Sequence, residues 1–78
     1  KQKGKLYMSL WKVTIKNSRY VNGVRIERGM SVQVPSTVHP LSSSGLSLVR
    51  DAFIRIYGVD LKDIGALNGS YLDAKKED

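Results

Sequence analysis

Residues 44–58, SGLSLVRDAFIRIYG, decide the fold of this 78-residue chain. Apolar residues recur in this segment at positions that share one side of a helix with 3.6 residues per turn: Leu48, Val49, Ala52, Phe53, Ile56 and Tyr57. We expect Ser44 or Ser47 to cap the first turn. Gly58 follows the last apolar residue, where a left-handed residue commonly ends a helix. The segment therefore predicts one amphipathic helix whose apolar side the rest of the chain must cover.

Three segments before the helix show the alternation of a strand with one face in water. Their alternating apolar residues are Trp11, Val13 and Ile15, then Val24 and Ile26, then Val32 and Val34. Tight turns at Asn22-Gly23 and Arg28-Gly29 separate the segments, and Pro35 is expected to end the third strand. This pattern predicts an antiparallel β-meander whose strands follow the order of the chain.

The first strand segment, residues 6–17, contains a change of parity. Leu6, Met8 and Leu10 alternate on the side opposite to that of Trp11. Either a bulge lies near residues 10–11, or only the second half of the strand faces the core.

The segments outside these elements complete the predicted fold. Residues 35–45 read as a surface loop, and Asp60 is expected to cap a short turn that points Leu61 and Ile64 inward. Residues 70–74 are compatible with a final edge strand. We expect a disordered basic tail over residues 1–5, one domain over residues 6–74 and a frayed charged end over residues 75–78. The predicted class is α+β, with a meander of three to four strands, one helix across one face and the order β-β-β-α-(β).

Composition bounds the class of partner. The formal charge is +6, from 13 Lys and Arg against 7 Asp and Glu. Lys1, Lys3 and Lys5 contribute half of that excess, so the remaining charge is ordinary for a small domain. The chain contains no cysteine, which suits a reducing cytoplasm, and no apolar run long enough to span a bilayer. We therefore expect a cytoplasmic protein without a membrane partner.

Basic residues of the predicted sheet raise the question of nucleic acid. Lys12, Lys16 and Arg25 are expected to share the outer sheet face, with Arg19 and Arg28 at its corners. Single-strand binders usually add stacking aromatic residues to such a face, whereas Trp11 here has core parity. We prefer a solubilising role for this face and keep nucleic-acid binding as the alternative.

Exposed apolar residues favour a protein contact. Ile54 lies beside Arg50 on the helix side opposite the apolar stripe. If Met8 and Leu10 are also exposed, two apolar patches exist, and a protein partner or self-association becomes reasonable. The unpaired edges of a small sheet point the same way.

No motif indicates catalysis. His39 is the single histidine, and nothing marks a neighbouring serine as an activated nucleophile. Asp60 and Asp63 lack the further oxygen donors that a cation site at this spacing needs. We expect no enzymatic activity, no cofactor and no metal.

Four segments carry a resemblance to a known family: residues 11–18 (WKVTIKNS), 24–32 (VRIERGMSV), 51–53 (DAF) and 57–61 (YGVDL). Across most of residues 11–74 the chain resembles a family of small bacterial proteins that are grouped as a domain of unknown function. The resemblance implies a bacterial cytoplasmic origin and transfers no activity.

These observations leave the function unknown but favour one class. We expect a small non-enzymatic binding or scaffolding module that contacts a protein partner or itself. The alternative is a nucleic-acid-binding module that uses the basic sheet face.

Overall fold

A computed structural model describes residues 8–78 of the chain. Its elements are β1 (Ser9–Ile15), β2 (Arg19–Val21), β3 (Val24–Ile26), β4 (Ser31–Ser36), α1 (Leu46–Tyr57) and β5 (Leu72–Lys76). The predicted α+β class is confirmed. The predicted tail over residues 1–5, together with Leu6, lies outside the described residues.

Helix α1 forms where the apolar spacing predicts it and ends as predicted. Gly58 has φ 71°, a left-handed conformation, and its N–H donates to the Ile54 carbonyl at 2.9 Å. The predicted serine cap is wrong, because Gly45 occupies the N-cap position without a side-chain cap. Ser47 lies inside the first turn, and its hydroxyl donates to the Ser44 carbonyl at 3.3 Å.

The apolar stripe of α1 is only partly buried. Val49, Ala52 and Phe53 are buried, whereas Leu48, Ile56 and Tyr57 are exposed by 40%, 54% and 39%. The helix packs mainly against β4, so its middle is covered while residues at both ends of the stripe are not. The predicted burial of all six stripe residues is therefore wrong for three of them.

The order of the strands differs from a meander. Antiparallel β1 lies in the centre of a three-stranded sheet with the order β4-β1-β5. Strands β2 and β3 pair only with each other, in a separate hairpin. β1 is the longest strand, and both of its edges are occupied by strands that follow later in the chain. The short hairpin is consequently displaced from the sheet.

The turns of the strand region form as predicted. Asn22 and Gly23 have φ 52° and 81°, the positive values that a two-residue type I′ hairpin turn requires. Gly29 has φ 99° at the turn before β4. The β1–β4 register is continuous from Ser9 to Thr14, which is the alternative without a bulge. Only the second half of β1 faces the core fully, because Val13 and Ile15 are buried while Trp11 is half-buried.

The predicted ends of two strands are wrong. β4 continues through Pro35 to Ser36 instead of ending before the proline. β5 runs from Leu72 to Lys76, and the N–H of Glu77 donates to the Leu10 carbonyl at 2.8 Å. Residues 75 and 76, which were predicted to fray, thus belong to the sheet, and Glu77 is hydrogen-bonded to it.

One core joins the inner sheet face, α1 and the segment after the helix. Its buried apolar residues are Val13, Ile15, Ile26, Val32, Val34, Val49, Ala52, Phe53, Leu61, Ile64, Ala66 and Leu72. The inward packing of Leu61 and Ile64 is as predicted. Asp60 accepts the N–H of Lys62 at 3.1 Å, which matches its predicted capping role.

Candidate protein-binding edge

The residues predicted to form a protein interface do not form one patch. Met8 precedes β1 and is 61% exposed, and Leu10 lies half-buried on the outer sheet face. Ile54 is 41% exposed on α1, which packs on the opposite, inner face. The exposed apolar residues therefore lie in two separate places, as the two expected patches would, and their contact with a protein stays a prediction.

Arg50 is held by a carboxylate that the sequence did not pair with it. Its Nε and Nη2 donate to Oδ1 and Oδ2 of Asp60 at 2.8 and 2.7 Å, a bidentate geometry. The hydrogen bond from Arg50 lowers the pKa of the Asp60 carboxyl and outweighs the opposing effect of its partial burial. Arg50 therefore ties the helix to the segment that follows it and is not a free interface residue.

The predicted basic sheet face is not assembled. Lys12 lies in the three-stranded sheet and Lys16 follows its central strand, but Arg25 belongs to the β2–β3 hairpin. Arg25 stacks over the Tyr20 ring and lies 3.7 Å from a Glu27 carboxylate oxygen. The expectation that Arg25 shares one face with the two lysines is wrong, since β3 does not pair with β1.

The predicted corner arginines have different surroundings. Arg19 donates through Nε to the Ile64 carbonyl and through Nη1 to the Tyr71 hydroxyl at 2.7 Å. It thus connects the hairpin to the segment before β5. Arg28 is exposed, and its main-chain N–H donates to the Ser18 hydroxyl at 3.1 Å. These contacts make Arg19 a structural connector.

The outer face of the sheet is mixed in charge. Lys12 lies between Gln33 of β4 and Lys75 of β5. Asp73 lies opposite Thr14 in the next row, and Glu77 accepts a hydrogen bond from the Gln33 amide at 3.1 Å. Asp73 and Glu77 thus lie on the same face as Lys12 and Lys75, and their negative charges make this face less suitable for binding phosphates.

The edge of β4 that faces away from β1 is partly protected. The main-chain N–H of Ile15 donates to the Met30 carbonyl at 2.8 Å. Because hydrogen bonds to one neighbour come from every second residue of a strand, the odd-numbered residues of β1 bond β4. The main-chain groups of Ser31, Gln33 and Pro35 therefore point away from β1. The Tyr57 hydroxyl accepts the Ser31 N–H at 3.1 Å and donates to the Ser31 carbonyl at 2.9 Å. Proline has no N–H to offer, so Gln33 alone of these three residues keeps both its main-chain N–H and carbonyl open, and this edge is a poorer template for another strand than one with two such residues.

The opposite edge of the sheet, on β5, is open. The main-chain N–H of Lys16 donates to the Tyr71 carbonyl, and that of Glu77 donates to the Leu10 carbonyl, both at 2.8 Å. These two bonds show that the odd-numbered residues of this segment bond β1. The main-chain groups of Ala74 and Lys76 consequently point away from β1, and no described residue bonds them. We call these groups the β5 edge. An unpaired edge of this kind is a template for strand addition.

The surface pockets do not converge on a reactive group. One pocket, of about 450 Å³, is lined by Arg19, Tyr20, Arg25 and Glu27 among others, and His39 is not among its lining residues. The His39 ring instead packs on Trp11 at 4.8 Å, and its Nδ1 accepts the Leu41 N–H at 3.1 Å. Histidine and a serine nucleophile are not brought together in these pockets.

Metal binding and membrane spanning can be assessed for residues 8–78. Within this range no group of three or more His, Asp or Glu side chains is arranged to hold a metal ion. No helix in the described part of the chain has the length and apolar character needed to cross a bilayer.

The predicted edge strand over residues 70–74 contains Ala74 but ends two residues before Lys76, so that part of the β5 edge was missed. The signal was present in residues 72–76, LDAKK, whose apolar and polar residues alternate through Lys75. A run of charged residues at a chain end is usually a solvated tail, and that expectation outweighed the alternation. The strand order determines which edge of β5 stays open. The alternation of apolar and polar residues does not specify that order.

No curated protein and no solved structure matches the chain significantly. The model of one protein family, described as a family of unknown function, matches residues 8–74. This range begins just before β1 and ends within β5, so it includes the helix, the first four strands and the first part of the last strand. The chain therefore belongs to the family of unknown function DUF6140.

Proposed function

We propose that this protein is a small non-enzymatic binding module that contacts a protein partner by strand addition at the β5 edge. The single observation that carries the proposal is the contrast between the two edges of the sheet. On β4, Tyr57 binds the main chain of Ser31 and Pro35 lacks an N–H, which leaves Gln33 with both groups open. On β5, Ala74 and Lys76 both present bare main-chain groups.

Strand addition needs main-chain donors and acceptors in alternate positions along an extended segment. β5 offers them on one side, while its other side is anchored to β1 by the register from Leu72 to Lys76. A partner strand would therefore join a sheet that is already held in place. Pre-organisation of this kind lowers the ordering cost of binding.

The side chains of β5 favour a selective contact over indiscriminate aggregation. Asp73, Lys75 and Lys76 are exposed and charged, and charged residues on an edge disfavour random pairing. Ala74 is small and half-buried, so it leaves room for a neighbouring strand. These charges favour an extended partner strand that carries opposite charges over other extended chains.

Site-specific photo-crosslinking tests this proposal. In cells of the source organism, p-benzoylphenylalanine replaces Lys76 at the β5 edge. As a matched control, it replaces Gln33 at the edge of β4. We expect a protein adduct from position 76 and none from position 33. The adduct from position 76 should disappear when Ala74→Pro removes an N–H that points away from β1.

Absence of any protein adduct at position 76 would overturn the proposal. Equal adducts from both positions would also count against it, since they would show contact without preference for the β5 edge. Circular dichroism of the Ala74→Pro variant checks that loss of the adduct does not reflect unfolding.

A further inference from the structure

We infer that the partner at the β5 edge is a second copy of this chain, paired antiparallel about a two-fold axis at Ala74. This inference rests on the proposed function and names the occupant of the same edge. The two three-stranded sheets would join into one continuous sheet with the order β4-β1-β5-β5-β1-β4.

The hydrogen-bonding pattern of β5 is compatible with this symmetry. Ala74 has its N–H and carbonyl on the open side, so two copies facing each other exchange a reciprocal pair of hydrogen bonds at the axis. The Lys76 N–H of each copy then meets the Leu72 carbonyl of the other. The Leu72 N–H is already donated to the Asn68 carbonyl at 3.0 Å, and this pairing does not require it.

Charge complementarity selects the second copy as the occupant. With Ala74 opposite itself, Asp73 of each copy lies directly across from Lys75 of the other, on the outer sheet face. Opposite charges in this cross-strand position attract, and the symmetry creates the pair twice. The segment 72–76, LDAKK, is therefore complementary to its own reverse.

Neighbouring registers are disfavoured by the same charges. A shift of the pairing in one direction places the Lys75 side chains of the two copies opposite each other. The equivalent shift in the other direction places the two Asp73 side chains opposite each other. Like charges directly across a strand pair repel, so only the register centred on Ala74 is favourable at these positions.

The short edge predicts a weak and reversible dimer. One pair of five-residue strands buries less surface than the interfaces of stable complexes, which exceed about 1,200 Å² in total. We therefore expect a dissociation constant in the range of about 10 µM to 1 mM. Because the two Asp–Lys pairs are exposed, raising the salt concentration should weaken the dimer.

Sedimentation equilibrium of charge-reversed variants tests the inference. Asp73→Lys and Lys75→Asp should each raise the dissociation constant about tenfold or more, because each turns two attractive pairs into repulsive ones. The double variant restores both pairs with reversed sign, so its dimer should recover to near the wild-type affinity.

Asp63→Lys and Lys62→Asp make the same charge changes at exposed positions outside the sheet and should leave dimerisation unchanged. Loss of the dimer in Lys75→Asp is not expected to reflect unfolding. Lys75 of β5 lies directly opposite Lys12 of β1 within the monomer, and the substitution removes this pair of like charges. Circular dichroism confirms the fold of each variant.

Amide exchange gives an independent readout on the unmodified chain. Protection of the Ala74 and Lys76 N–H groups should rise with protein concentration, while that of Gln33 on the other edge should not. A rise confined to Gln33, or failure of the double variant to recover, would overturn the inference.

The two proposals fail in different ways. If the wild type is monomeric at 1 mM, roughly the upper limit estimated above, and crosslinking at position 76 yields only adducts with another protein, self-association is wrong and strand addition stands. If position 76 yields no protein adduct and no dimer forms, both are wrong. An adduct of twice the chain mass supports both.

Discussion

Arg50 and Asp60 form a bidentate ion pair across the end of the helix. Arg50 Nε and Nη2 lie 2.8 and 2.7 Å from the two carboxylate oxygens of Asp60. Because Asp60 also accepts the Lys62 N–H, one carboxylate organises both the helix and the turn that follows it. This turn holds Leu61 and Ile64 in the core.

The lowered pKa of Asp60 makes a pH prediction. A carboxyl whose pKa is lower in the folded state stabilises the fold above its unfolded pKa, and this contribution is lost as the pH falls through the folded value. The ordinary value is 3.8, so the loss should occur below about pH 4. Between about pH 5 and pH 2, the free energy of unfolding should fall more steeply for wild type than for Asp60→Asn. Denaturant titrations at each pH measure this free energy.

Tyr57 protects the β4 edge through its hydroxyl. Tyr57→Phe keeps the ring, which stacks on Phe53 at a centroid distance of 5.4 Å, but removes both bonds to Ser31. We expect a loss of about 0.5–1.5 kcal/mol in the free energy of unfolding and faster amide exchange at Ser31. Tyr20→Phe, at a 66% exposed position, is the matched control and should have little effect on either measurement.

Gly45 is required by close packing at the start of α1. A Cβ at this position would overlap the His39 carbonyl oxygen and the backbone of Pro40, which is fully buried. Gly45→Ala should therefore destabilise the fold by about 1–3 kcal/mol. Gly69→Ala meets no neighbouring atom within 4 Å and should change stability by no more than about 0.5 kcal/mol. Equal melting temperatures for the two variants would contradict this prediction.

Phe53 is the largest fully buried side chain of the core. Phe53→Ala should cost about 3–5 kcal/mol, a large part of the few kcal/mol that a chain of this size has. We expect no cooperatively folded protein, whereas Ile54→Ala at the adjacent exposed position should melt close to wild type. A cooperative near-wild-type melt of Phe53→Ala would show that the helix does not depend on this packing.

Oligonucleotide binding tests the alternative function. Because Lys12 and Arg25 lie in different sheets and Arg19 is bonded internally, we expect no retention of labelled single-stranded DNA or RNA at about 50 mM salt. Steeply salt-dependent retention that is lost in Lys12→Ala/Lys16→Ala would establish the alternative instead.

Local chemistry predicted the parts of this fold that depend on near neighbours. The spacing of Val49, Ala52 and Phe53 indicated a helix face, and Asn22-Gly23 indicated a hairpin turn, because helical periodicity and positive φ are properties of adjacent residues. The serine cap failed because packing between Gly45 and Pro40 decides how the chain enters the helix.

By itself, the sequence determined the class of the fold, the helix with its glycine end, and the identity of most core residues. Only the tertiary structure decided that β1 is the central strand, that Arg50 meets Asp60 and that the open edge lies on β5. The physical reason is that alternation assigns each residue of a strand to a face but does not name the neighbouring strand. Which strands pair depends on the burial of distant segments together, and the edge left over is a result of that choice.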